Sequence, residues 1–422
     1  MFQLIASRMN PTRLVSLLLA AALLLSGAAM IRTEQGETDL SLSAYESDTQ
    51  ARAMQMDIYY GVLEHRESID VSKYSYSLTE FGKILKDLRN HHPDLYMIKS
   101  AYSYSYKTVD GTRYVTKYWP KYSMTAEEQA AAQLVWYETI QNIIAGVNPS
   151  WNNTQKAMYL HDYLAANYEY DLTYTNYDAY SLLTTGKGVC QAYALAYIAL
   201  LEAVGITCNY TSSNAMNHAW NKVQLGGNYY NVDVTWDDPT ADRLGYVSHE
   251  DFLVSDSMLG DDHSFTWEEG YGQCFDTGFD NWFWRDVNTA IIPMDGDFFY
   301  IKNGTIYKWD VESNSIKKCV SLSSKWYVKG KSGSYWRYKN SDGSWNTNFS
   351  VMQPTGNKIL YNTAYSIKTF DPKTNKLAVI CEYNGKGCIY GFRYNGSSIT
   401  LQVSQDCGQT YDFVTVTNFK SF

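Results

Sequence analysis

Residues 186–205 read GKGVCQAYALAYIALLEAVG, followed by NHAWNKV (217–223) and NVDVTWDDP (231–239). In the first segment Ala, Leu and Tyr recur at helical spacing and Gly205 supplies a C-cap, so a helix starts at Cys190 behind a glycine-rich turn. The other two lie on strands, HAWNKVQL and YYNVDVTW, joined by Gly226-Gly227, a two-residue hairpin signal. That loop sets the register: Leu225 opposes Asn228, Trp220 opposes Asp233, and His218 opposes Thr235. His218 and Asp233 then share a face as diagonal neighbours, roughly 7–8 Å apart at the backbone. One more loop residue would put them on opposite faces. The expected arrangement is Cys190 at a helix start, facing the side of a hairpin that carries His218 and Asp233.

These are the residue types a thiol nucleophile needs: an attacking sulfur, a base to ionise it and an acid to orient the base. Unpaired N–H groups and the positive dipole end at a helix start favour thiolate over thiol. The same N–H groups can hold a developing oxyanion. Gly188 is expected to let a substrate carbonyl approach the backbone.

The stretch from about 150 to 265 resembles the transglutaminase-like superfamily, whose fold is related to papain-type cysteine peptidases. The resemblance rests on KAMYLHDYLAANYEYDL, GKGVCQAYALAYIALLEAVGI, NHAWNKVQLGGNYYNVDVTWDDP and DFLVSDSMLGDDHSF; HPDLYMI, upstream, is similar to a segment that often precedes this domain in secreted bacterial relatives. It implies Cys190 as nucleophile, His218 as base and Asp233 as orienting acid. It also implies an α+β fold with a papain-like core, the cysteine helix packed on an antiparallel sheet. One departure is Ala192, where a glycine is common two residues after the cysteine. The oxyanion-hole side chain of some relatives has no counterpart here, which leaves the Cys190 backbone N–H.

Arg8 and Arg13 precede an apolar run from Leu14 to Met30 that ends in Ser26, Gly27, Ala28 and Ala29. This is the pattern of a signal peptide cleaved after Ala28 or Ala29, and the expected location is secreted or at the cell surface; an uncleaved anchor is the alternative. The 422-residue chain carries a formal charge of −9, and removing a segment with two arginines and no acids makes it −11. An acidic chain without a basic run argues against nucleic-acid binding. Seven cysteines, an odd number, are consistent with one free thiol and up to three disulfides. Cys381 and Cys388 flank EYNGKG as a hairpin-bridging pair, with buried free thiols throughout as the alternative.

The expected domains are a signal peptide (1–29), an N-terminal α+β extension (30–150), the core (151–282) and an all-β C-terminal domain (283–422). In the extension, SLTEFGKILKDLRNHH (77–92) has helical periodicity, Asp110-Gly111 marks a β-hairpin, and Thr125 with Glu128 forms a capping box for a helix over about 126–145. Thr154 is expected to cap a helix over 155–168. The C-terminal segment repeats at a spacing of 61: FFYIKNGTIYKWDVESNSI recurs as ILYNTAYSIKTFDPKTNKL. Each copy reads as three strands of a propeller-type blade, but two copies cannot close a ring. Its aromatic content suits carbohydrate, cell-wall or peptide contact.

Other candidates carry less. His91-His92 and His161-Asp162 lack ligand-spaced partners, and Asp237-Asp238 lacks an EF-hand pattern. Asp261, Asp262 and His263 fall in a family-like loop. Trp220, Tyr230 and Trp236 read as hairpin core. No metal or cofactor is expected. The sequence predicts an exported enzyme of thiol-dependent acyl transfer on protein or peptide amides, with hydrolysis (a cysteine peptidase or amidase) ahead of cross-linking. A non-catalytic surface-binding protein is the reading from a different class.

Overall fold

A computed structural model describes residues 48–238, 242–260, 262–264, 273–323, 326, 338–339, 345–346, 348–406, 408 and 410–420. The expected signal peptide lies outside them. Among the described residues, no helix is long and apolar enough to cross a membrane.

The N-terminal part pairs helices with a long hairpin. Asp48 caps α1 (Thr49–Leu63), and a capping box of Ser77 and Glu80 opens α2 (Leu78–His91), which stops before Pro93. Strands β2 (Ile98–Val109) and β3 (Thr112–Tyr122) turn at Asp110-Gly111, both with positive φ, and β1 (Ile69–Asp70) pairs with β3. Thr125 and Glu128 form the capping box of α3 (Ala126–Ile144). Ala132 of this helix joins the N-terminal core around Phe81, Ile84 and Tyr118. Ile140 and Ile143, two turns on, join the core that carries the cysteine helix, so α3 couples the two.

Helix α4 (Asn153–Asn167) starts earlier than expected. Asn152, not Thr154, caps it: its side chain accepts from Gln155 N–H, and the Gln155 side chain returns the bond. Short strands β4 (Glu169–Tyr170) and β5 (Lys187–Gly188) flank α5 (Ala179–Thr185) and lead into α6 (Cys190–Ala203). Ten α6 side chains are buried, which is the mark of a helix covered on all sides. It packs on the antiparallel sheet β6–β7–β8–β9, formed by Cys208–Ser213, His218–Leu225, Asn228–Val232 and Phe252–Val254. A short helix, α7 (Asp256–Leu259), follows.

The hairpin register is the expected one, from Leu225 opposite Asn228 to Asn221 opposite Val232. The ladder ends there, so His218 does not oppose Thr235; it pairs instead with Ser213 on β6. Asp233 stops the strand by turning the chain. Its Oδ1 accepts from the N–H groups of Thr235 (2.9 Å) and Trp236 (3.1 Å).

The C-terminal part is all-β. The two repeats are β11–β13 (Asp297–Lys302, Thr305–Asp310, Ser315–Ser321) and β17–β19 (Lys358–Asn362, Ser366–Asp371, Lys376–Glu382). Each gains a preceding fourth strand, β10 (Ile292–Met294) or β16 (Met352–Thr355). Both sheets carry a register shift at the equivalent place, Ile306/Tyr307 and Ile367/Lys368. A short ladder, β14 (Tyr338–Lys339) with β15 (Trp345–Asn346), lies between them, and a third sheet, β20–β22 (Cys388–Tyr394, Ile399–Ser404, Asp412–Val416), follows. The repeat aromatics Phe298, Phe299, Tyr300, Trp309, Tyr361 and Phe370 are buried, so they form core rather than a surface platform.

The six described cysteines are free thiols. Cys381 and Cys388 do not bridge a hairpin because β19 and β20 belong to different sheets: Cys381 pairs with Ile367 and Cys388 with Ser404.

Candidate active site

Cys190 is the first residue of α6. Val189 precedes it with extended backbone and offers no side-chain cap. The first turn is closed by Ala192 and Tyr193 N–H donating to Val189 O. The N–H groups of Cys190 and Gln191 take no partner among the described residues, as expected for a helix start. They are the donors available to an oxyanion.

Gly188 has a different role from the expected one. It is buried, and a Cβ there would lie 2.7 Å from Ala192 Cβ and 3.1 Å from Leu182 Cβ. Its bareness lets the β5 turn seat against α5 and the start of α6. Ala192 fills the space that Gly188 leaves, which accounts for alanine at this position.

The sheet brings His218 to Cys190. Cys190 lies close enough to His218 to help hold the His218 pKa up. On its other edge, His218 Nε2 donates to Asp233 Oδ2. Nδ1 is therefore the nitrogen left to serve the thiol. Cys190 is 9% exposed and Asp233 is fully buried. Burial would lower the His218 pKa; the Asp233 carboxylate, then the hydrogen bonds to Asp233 and Cys190, outweigh this and hold it at about 10. Burial would likewise raise the Asp233 pKa, but the His218 charge and the two histidine hydrogen bonds hold it below its ordinary value.

A second histidine is part of the constellation. His263 Nε2 lies 3.0 Å from the same Asp233 Oδ2, and its Nδ1 lies 2.7 Å from Asp262 Oδ1. Asp233 is thus saturated, with two backbone N–H groups on one oxygen and two imidazoles on the other. The DDH cluster in the sequence is the signal for His263, but only the folded loop shows which carboxylate it meets.

Trp236 differs from the expected hairpin core. Trp220 and Tyr230 are buried, whereas Trp236 is 42% exposed. Its ring centroid lies 4.1 Å from His263 and 5.6 Å from His218. The turn held by Asp233 throws this side chain outward as a lip over the two imidazoles.

His161 and Asp162 find partners in space that their spacing hides. His161 Nε2 lies 3.0 Å from Asp237 Oδ2, His161 Nδ1 lies 2.9 Å from Asp162 Oδ1, and His249 Nε2 lies 3.0 Å from that same oxygen. His249 Nδ1 faces Val287 O at 2.9 Å, and Asp162 Oδ2 accepts from Ile291 N–H. Every contact is internal and buried, so the network ties α4 to the sheet and to the first β-repeat. Among the described residues, three groups have a metal-compatible donor set: His161–Asp162–His249, His218–Asp233–His263 and Asp251–Asp262–His263. Asp238 accepts from Tyr193 OH.

No curated protein matches the chain significantly. Among solved structures, it is similar to a candidate cysteine protease from Cytophaga hutchinsonii (18% identity, 31% of this chain and 54% of that chain, TM-score 0.21). A candidate protease from Parabacteroides distasonis matches at 12% identity over 67% of this chain and 61% of that one, TM-score 0.21. The N-terminal domain of Nup159 matches at 8% identity over 50% of this chain and 42% of that one, TM-score 0.21. The chain thus spans 54% of the Cytophaga structure and less than two thirds of the others. Residues 137–234 match the model of the transglutaminase-like superfamily, which supports an enzyme of the cysteine type in general: the chain contains a transglutaminase-like core, running from the second half of α3 through Asp233.

Proposed function

We propose that this protein is a thiol-dependent acyl-transfer enzyme acting on amide bonds of proteins or peptides, with water as the acceptor, and that Cys190, His218 and Asp233 carry the reaction. The observation behind this reading is His218 held by a saturated, buried Asp233 and within electrostatic reach of Cys190 at the first position of α6.

Cys190 Sγ attacks the amide carbonyl carbon as thiolate, forming the S–C bond and an oxyanion that faces the free N–H groups at the start of α6. His218, protonated because Asp233 holds its pKa high, gives its Nδ1 proton to the leaving nitrogen as the C–N bond breaks. Water then donates a proton back to Nδ1 and attacks the thioester carbonyl. The S–C bond breaks, the product leaves as the carboxylic acid and passes its proton to solvent, and the thiolate–imidazolium pair is restored. Asp233 fixes the ring through Nε2 and stays ionised throughout. Arg8, Arg13 and the apolar run after them support an extracellular setting for this reaction.

The test is the wild-type chain against Cys190→Ala on casein, with and without a labelled primary amine. The expected result is new peptide termini from wild type alone. Amine incorporation without new termini would replace hydrolysis by cross-linking. Cleavage that survives Cys190→Ala would overturn the reading.

A further inference from the structure

A cleft of about 830 Å³ opens between the N-terminal part and the transglutaminase-like core. Tyr96 and Tyr102 of the N-terminal part line it. One wall is cationic: Lys86 and Arg89 from α2, and Lys99 from the start of β2. The other carries Tyr177 just before α5, Tyr180 within it and Tyr210 on β6. Gln191, the residue after Cys190, lines the cleft, so it reaches the start of the cysteine helix.

The three cations have no carboxylate partner among the described residues. Arg89 makes one long hydrogen bond, to Ser100 Oγ at 3.4 Å. Burial lowers its pKa, and the nearby Tyr118 only partly offsets this. The one carboxylate lining the cleft, Asp178, is committed elsewhere: both oxygens accept from Ser181, the backbone N–H at 2.8 Å and Oγ at 2.8 Å. A net positive cleft in a chain of charge −9 is a local field that selects for anions and concentrates them.

The loop before α5 lies between the cleft and the thiol. Tyr170 lies within electrostatic reach of Cys190, Tyr174 and Tyr177. The loop between them is braced by Asp171, whose carboxylate accepts from Thr173, Thr175 and Asn176. This brace holds Leu172, Tyr174 and Tyr177 exposed. A peptide laid across Tyr177 has apolar surface under its backbone and cations ahead of it.

We propose that this cleft is a substrate subsite for acidic peptide segments, in which Arg89, with Lys86 and Lys99, binds Glu or Asp side chains of the chain whose amide is presented to Cys190. The inference rests on the acyl-transfer reading for its catalytic half, but the binding half stands apart from it. Arg89 is thus a specificity-determining residue, and the N-terminal part is half of the substrate site.

Two measurements separate the inferences. The first is the ratio of kcat/KM for a Glu-containing casein-derived peptide over its Glu→Gln counterpart, on the full chain. Wild type is expected to favour the Glu peptide about 10-fold or more at low salt, and 0.5 M NaCl is expected to shrink the preference. Arg89→Gln and the exposed double change Lys86→Gln/Lys99→Gln are each expected to reduce the ratio, and Arg89→Lys to restore part of it. The second is fluorescence anisotropy of the same labelled peptides on Cys190→Ala, which needs no turnover. Charge-dependent, Arg89-dependent binding without turnover by wild type keeps the subsite and overturns acyl transfer. Turnover with equal ratios in all variants, or equal binding of both peptides, overturns the subsite and leaves acyl transfer standing. Because Lys86 and Lys99 are exposed, their double change gives an answer even if Arg89 variants fold poorly.

Discussion

Asp233→Asn replaces one oxygen by an amide while keeping size and shape. Asn Oδ1 still accepts from Thr235 and Trp236 N–H, so the turn after β8 is retained. The other position reverses polarity. Where the carboxylate accepts from both His218 Nε2 and His263 Nε2, an amide nitrogen donates. His218 must then present a lone pair at Nε2 and carry its proton on Nδ1, facing Cys190. In that neutral tautomer it can neither take the thiol proton nor hold an imidazolium. The loss expected from a wrong tautomer with geometry intact is about 10³–10⁴-fold in kcat/KM, or about 4–5.5 kcal/mol. The assay is steady-state casein-peptide hydrolysis at pH 7, with circular dichroism and the melting temperature confirming a folded protein. A loss smaller than about tenfold in a folded Asp233→Asn protein would refute the argument that Asp233 sets the His218 tautomer.

Further outcomes follow from the same contacts. His263→Gln removes one of the two imidazoles on Asp233 Oδ2, and is expected to cost roughly tenfold in kcat/KM and to move the alkaline limb of the pH–rate profile; an unmoved profile would make His263 a packing residue only. Gly188→Ala sets a Cβ 2.7 Å from Ala192 Cβ, so chemical denaturation should show about 1–3 kcal/mol of destabilisation. His161 is buried, which would lower its pKa, but hydrogen bonds and charge from Asp162 and Asp237 raise it to about 9. A raised folded pKa stabilises fully below the unfolded value of about 6.5. Stability measured by urea unfolding should therefore fall as pH rises from about 6.5 through 9, and His161→Phe should flatten that fall.

The helix start at Cys190 and the hairpin register were legible because each depends on near-neighbour sequence: a glycine-rich turn before an apolar helix, and a Gly-Gly loop whose length fixes pairing. The transglutaminase-like core follows from these local signals. Asn152 was equally legible as a cap, since Asn152 and Gln155 stand in capping-box spacing. The end of β8 was not. Alternation suggested a strand to Trp236, whereas the side chain of Asp233 takes the N–H groups of the next residues and ends the ladder. His263 and the His161–Asp162–Asp237–His249 network depend on contacts across 30 to 87 residues, which no local period encodes. Arg89 stood in a plain amphipathic helix; only the packing of α2 against the core turns it into a wall of the cleft.

Whether Cys190 is the reactive thiol is read out by native alkylation with iodoacetamide and peptide mapping over time, alongside residual hydrolysis. Accessibility alone favours Cys319 and Cys381, which are half-buried where Cys190 is buried. Burial pushes the thiols of Cys208, Cys274, Cys319 and Cys381 up, away from the reactive thiolate form. Cys190 is expected to be labelled first, with hydrolysis lost in proportion to its labelling. Earlier labelling of Cys319 or Cys381, or hydrolysis that persists with Cys190 fully alkylated, would contradict that.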